Sequence, residues 1–129
     1  MTPELTALTL AALLQILQLC LYSVVGQAAV GAKIALKPRD NPVDMPGKAG
    51  RVQRALNNHF EGLILFSIAC AVITISDQST GVTVACAWAY LIARVLYIPA
   101  YVFGWVPWRS AIWAVGFFAT TLMLIAALI

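Results

Sequence analysis

Arg51-Val-Gln-Arg54-Ala-Leu-Asn57-Asn58-His59-Phe-Glu61 opens a long apolar run. At about 100° per residue of helix, Arg51, Arg54, Asn58 and Glu61 fall within about 80° of one another. Tyr90, Arg94, Tyr97 and Tyr101 share a face within roughly 60° by the same geometry. A fourth arginine, Arg109, follows Pro107. Four arginines against one nearby glutamate leave excess positive charge, so the chemistry these groups support is the binding of an anion through charge-assisted hydrogen bonds. The N-termini expected at Arg51 and Pro107 add their positive dipole ends.

His59 projects about 80° from Arg51, on the far side from the Arg54 and Glu61 face. With no second His or Cys ligand near it, no metal site is expected. No GxxxxGK, GxSxG, HExxH or CxxC motif occurs.

The elements that must hold these residues follow from composition. The chain has 129 residues, 62% hydrophobic and 10% charged, against roughly 45–50% and 25% in a soluble domain. A crossing of the hydrocarbon takes about 20 apolar residues, so the length holds four crossings with short loops. The segments read as helices over about 3–32, 51–76, 82–103 and 107–129. They form one all-α membrane domain spanning 1–129, a four-transmembrane-helix up-down bundle. The Pro-, Gly- and charge-rich stretch from Lys37 to Gly50 cannot rest in lipid and is the one long loop.

Of eight basic residues, six (Lys33, Lys37, Arg39, Lys48, Arg51 and Arg54) lie in or beside that loop, and Arg109 lies at the third connection. The positive-inside rule therefore places the first and third connections in the cytoplasm and both termini outside, in the inner membrane if the source is bacterial. The net charge of +3 then records topology, not a nucleic-acid partner. Trp105, Trp108 and Trp113 fit an interfacial belt at the cytoplasmic face. The first apolar segment carries Glu4, has no basic n-region and is too long for a signal peptide, so it stays as helix 1. Cys20, Cys70 and Cys86 lie within apolar stretches, which argues against a disulfide framework.

Helices 2 and 3 run in opposite directions, so the start of one and the end of the other meet at the same face and their polar stripes converge. Asn58 and Glu61 lie at membrane depth and need partners; Glu61 with Arg54 or Arg94 is one pairing that would satisfy them. Helix 1 adds Gln15, Gln18, Tyr22, Gly26, Ala29 and Lys33, a stripe too polar for lipid, which points to a trimer. The intramembrane polar residues are expected at the cytoplasmic end and nowhere else.

In the motifs Arg51-x-x-Arg54-Ala-x-x-Asn58-x-x-Glu61, Arg94-x-x-Tyr97-x-x-x-Tyr101 and Pro107-x-Arg109-Ser110 the sequence resembles, over essentially its whole length, the membrane-associated proteins in eicosanoid and glutathione metabolism. That family includes microsomal glutathione transferases, leukotriene C4 synthase and microsomal prostaglandin E synthase. The resemblance implies a homotrimer with glutathione, a co-substrate, held between subunits near the cytoplasmic face. It implies that Arg54, Asn58 and Glu61 hold the tripeptide, that Tyr97 and Tyr101 contact it, and that Lys33 stands for a basic residue reaching in from the neighbour. Arg109 matches the arginine facing the thiol, where a guanidinium favours the nucleophilic thiolate. Arg51 and Arg94 are left supporting roles. Two positions depart from the pattern: Leu56 stands where several relatives have His or Gln, and Gly62 replaces an aromatic glutathione contact of one branch.

The resemblance implies a glutathione-dependent transferase or peroxidase acting on a lipophilic electrophile from the bilayer. A non-catalytic lipid-binding or scaffold protein of the same fold is the alternative. A small multidrug exporter also has four short helices, but such proteins carry a membrane-embedded acidic residue in helix 1, where this chain has only Gln15 and Gln18 at depth.

Overall fold

The computed structural model describes residues 1–30, 47–104 and 107–129. Four helices follow one another: α1 (Pro3–Val30), α2 (Gly47–Ile75), α3 (Gly81–Val102) and α4 (Trp108–Leu128). All four are long and apolar enough to cross a membrane. The chain is thus an all-α membrane protein, with lipid as the solvent of exposed side chains such as Leu17, Ile64, Phe118 and Ile125.

Local chemistry sets the ends. Thr2 Oγ1 accepts from Leu5 N at 3.3 Å and so caps α1. Thr80 and Thr83 form a capping box at α3. At the end of α2 the Gln78 N–H reaches Ile73 O at 2.9 Å and the Asp77 N–H reaches Thr74 O at 3.3 Å. Asp77 sits at φ 57°. This is a Schellman turn, with Asp in the left-handed position that glycine usually takes.

Helix α2 starts at Gly47, four residues before the expected Arg51. Gly47 and Gly50 each cost a helix only about 1 kcal/mol, too little to stop one that a long apolar segment propagates. As a correction, the N-terminal dipole of α2 lies two turns from Arg54 and, falling off within the first turn, does not act on Asn58 or Glu61. The expected last residues of helix 1, 31 and 32, lie outside the described residues.

Helix α1 packs on α2 and α3 and α4 packs on α3 and α2, with no contact between α1 and α4 among the described residues. The core between them holds Phe66 stacked on Tyr90 at 3.9 Å, with Ala7, Ala11, Ala69, Ala87 and Met123 around it. The small residues let the backbones approach closely.

Two expectations about polar residues are overturned. Glu4, read only as an argument against a signal peptide, is fully buried at the end of the bundle opposite the arginines. Its Oε1 accepts from Ser79 Oγ at 2.7 Å and Thr83 Oγ1 at 2.8 Å, and Thr2 bonds Thr74 beside it at 3.0 Å. Polar groups thus pin both ends, because the α2–α3 turn must also be tied to α1. Second, Gln18 and Tyr22 are buried inside their own subunit, with Gln53 Nε2 donating to Tyr22 Oη at 3.3 Å. These two residues turn inward, so they do not argue for a subunit interface; the side chains of Gly26, Ala29 and Lys33 lie outside the described residues.

Candidate functional site

Within α2 the stretch long and apolar enough to cross a membrane is the 26 residues Gly50–Ile75. Counting back from Ile75 at about 1.5 Å per residue, Glu61 lies about 21 Å and Asn58 about 26 Å into a hydrocarbon layer about 30 Å thick, while Arg54 and Arg51 fall at or past its edge. The antiparallel α3 brings Tyr97 and Tyr101 to the same level, and α4 starts there.

Tyr101 is held between two arginines. Arg54 Nε donates to its hydroxyl oxygen at 3.1 Å. The guanidinium carbons of Arg54 and Arg109 lie 5.9 Å and 5.3 Å from its ring centroid, within the range of cation–π attraction. Tyr97 sits against it with ring centroids 5.6 Å apart. Since Arg54 uses the oxygen as an acceptor, the phenolic hydrogen is left to donate elsewhere.

Arg94 organises the layer beneath. It is buried, lies 4.6 Å over the Tyr97 ring, donates through Nη1 to Asn58 Oδ1 at 2.9 Å and through Nε to His59 Nδ1 at 3.1 Å. A guanidinium only donates, so His59 Nδ1 is the acceptor and the proton is on Nε2, which donates to Ala11 O at 3.0 Å. One chain of bonds thus ties α3 to α2 and α1. His59, which the sequence set off the polar face, is therefore a fully buried member of the network. The signal that could have found it is depth: a histidine in hydrocarbon must have a partner, and Arg94 is at its level. The expected pairing of Glu61 with Arg54 or Arg94 does not occur, since α2 presents Asn58 and His59 to Arg94 instead.

Two hollows meet at Asn58 and Trp113. One, about 460 Å³, takes its polar groups from Tyr97, Tyr101, Arg109 and Ser110 as well as Asn58. The other, about 250 Å³, is a groove between α2 and α4 with Leu65, Phe117 and Leu124 on its walls and Tyr90 and Arg94 beneath. Trp113, which is exposed, stands where the hollows join, stacked on Phe117 at 5.2 Å. Trp108 is exposed as well, and Trp105 lies outside the described residues.

Of the expected site residues, Asn58, Tyr97, Tyr101 and Arg109 gather on the polar hollow, with Arg54 bonded to it through Tyr101. Glu61 lines the groove instead and is exposed, with no hydrogen bond or ion pair among the described residues. Arg51 turns away: its Nη1 donates to Val102 O at 3.2 Å and closes the end of α3. Gly104 adopts φ +69° there, and a Cβ on it would come within 3.2 Å of Arg51 Nη1. Arg94 supports Asn58 from below, and Lys33 lies outside the described residues. Of the two departures, Leu56 packs away from the hollows with Tyr22 and Val52, whereas Gly62 lines the groove. Among the described residues no group of His, Cys, Asp and Glu is arranged to hold a metal, and all three cysteines are free.

No curated protein and no solved structure matches the chain. A family model does, that of the MAPEG family, over residues 7–129. That span takes in all but the first turn of α1 and every residue lining the two hollows. Given a four-helix membrane bundle with its arginines and tyrosines at one end, and a match over nearly the whole length, the chain belongs to the MAPEG family, a family associated with glutathione and eicosanoid metabolism.

Proposed function

We propose that the protein is a glutathione-dependent transferase or peroxidase that conjugates or reduces a lipophilic electrophile at the cytoplasmic side of the membrane. The observation that supports this reading is the junction at Asn58 and Trp113, where a hollow bearing Arg109, Tyr97 and Tyr101 adjoins a largely apolar groove. A thiol nucleophile and a membrane-soluble electrophile need adjoining sites of that kind, because proximity and orientation supply much of the rate.

In this reading Arg109 is the catalytic residue. It stands in the first turn of α4, where guanidinium and helix dipole act together on a thiolate. Tyr101, with its phenolic hydrogen uncommitted, donates to the same sulfur. Arg54, Asn58, Glu61 and Tyr97 hold the rest of glutathione, and Lys33 reaches in from a neighbouring subunit. The exposed Glu61 supports a homotrimer: a charge at membrane depth costs about 2.5–3.5 kcal/mol on insertion scales unless a partner or water-filled site receives it.

The test is a titration of the purified protein with glutathione, following thiolate absorbance. Saturable growth of the thiolate band at neutral pH is the expected result. No thiolate and no saturable binding would favour the lipid-binding alternative.

A further inference from the structure

Tyr90 enters the α2–α4 groove from α3 through space that two glycines leave. A Cβ on Gly116 would touch its ring at 3.6 Å, and one on Gly62 would lie only 3.0 Å from its hydroxyl. The residue is 2% exposed, and its hydroxyl has no hydrogen-bond partner among the described residues. Arg94, 3% exposed, lines the same groove. With Nε and Nη1 taken by His59 and Asn58, its Nη2 also has no partner among the described residues. Buried donors are seldom left unmade, and here two of them belong to residues lining one cavity, whose other walls are mostly apolar but include Asn58, Glu61, Thr120 and Thr121.

We infer that the groove is a subsite for an apolar chain bearing an uncharged acceptor oxygen, with Tyr90 Oη and Arg94 Nη2 as its donors, and that the second substrate is a lipophilic carbonyl compound. A plain hydrocarbon would leave both donors unmade. A carboxylate would meet Glu61, which lines the same groove and offsets the charge of Arg94. A carbonyl oxygen has two lone pairs and can accept from both donors at once. Only the naming of the occupant as second substrate rests on the thiol-transfer reading; the donors and their ligand chemistry stand without it.

The experiment uses 2-tridecanone labelled with ¹³C at the carbonyl, added to the intact protein in micelles with no glutathione present, and reads the isotope-shifted carbonyl band by infrared difference spectroscopy. In wild type the band is expected below its wavenumber in protein-free micelles. Tyr90→Phe keeps the ring and its stack on Phe66; it should return part of the shift and weaken ketone binding roughly fivefold, the worth of one ordinary hydrogen bond. A wild-type band unmoved from that of empty micelles overturns the inference. So does a shifted band that Tyr90→Phe leaves in place, which would mean that water satisfies the donors. The wild-type band decides the matter if the variant does not assemble. A protein that shifts the ketone band yet forms no thiolate would overturn the thiol reading and leave this subsite standing.

Discussion

Arg94 Nη1 meets Asn58 Oδ1 at 2.9 Å, and this contact decides which way Asn58 faces. Because the guanidinium can only donate, the amide oxygen is turned to Arg94 and the amide nitrogen is left free. Asn58 borders both hollows, so it offers N–H donors where they join. Arg94 is in turn fixed by His59, and His59 by Ala11 of α1. An anion at the junction therefore meets donors already oriented before it arrives, which is the condition for electrostatic stabilisation.

Arg109→Ala should raise the pKa of the bound thiol and lower turnover at neutral pH. The sign follows from charge: a guanidinium stabilises the thiolate, so its loss favours the protonated form, and the rate should recover as pH rises. One pH unit of displacement corresponds to about 1.36 kcal/mol, which a pH–rate profile resolves. Arg109→Lys should restore only part of the effect, since an ammonium lacks the planar fork. An identical thiolate fraction and rate across pH in wild type and Arg109→Ala would leave Arg109 as an interfacial anchor.

Glu61→Gln and Arg54→Ala should weaken glutathione binding while the bundle stays assembled. Both residues are exposed in the subunit, and Arg54 touches only Tyr101 among the contacts described. Size-exclusion profiles and binding isotherms measured on the same preparations separate the two effects. Loss of assembled protein in both variants would mean that these residues hold the bundle together.

His59→Ala should behave in the opposite way. It strips a partner from Arg94 Nε and from Ala11 O in a site closed to water, at a cost of about 3 kcal/mol. His59→Gln carries both an acceptor and a donor and should regain part of that. Thermal unfolding in detergent reads the difference, and an unchanged midpoint for His59→Ala would show that water replaces the ring.

Gly62→Ala places a methyl 3.0 Å from the Tyr90 hydroxyl. The ring is held by Phe66 on its face, so the clash should destabilise by about 1–3 kcal/mol. Adding Tyr90→Phe removes the clashing atom and should recover most of the loss. If the double variant is no more stable than Gly62→Ala alone, the two positions are not in the contact described.

Cross-linking in mild detergent should yield a trimer, because Asn57 and Glu61 are exposed on α2 and, with no hydrogen-bond partner among the described residues, would be satisfied by another copy or a ligand. A ladder that stops at monomers and dimers would remove that part of the proposal.

What the sequence determined by itself is the set of quantities that travel along one chain. Four apolar runs of membrane-spanning length dictate four helices, because only a helix satisfies its own backbone in lipid. The turn signals place α3 and α4 within one residue of where they lie, and the motifs were enough to bring the family into view. Periodicity correctly put Tyr97 and Tyr101 on one face of α3, and the antiparallel course of α2 and α3 brought Asn58 to them.

What only the tertiary structure decided is which polar group answers which. Arg94 takes Asn58 and His59 rather than Glu61, Glu4 closes the far end with Ser79 and Thr83, and Gln18 turns into its own subunit. Periodicity gives the angle of a residue around its own helix axis. It says nothing of the rotation of one helix against the next, and a hydrogen bond is made or lost within a few tenths of an ångström and a few tens of degrees. That rotation comes from the packing of Phe66 on Tyr90 and of alanines between α1, α2 and α3, contacts between residues far apart in the chain.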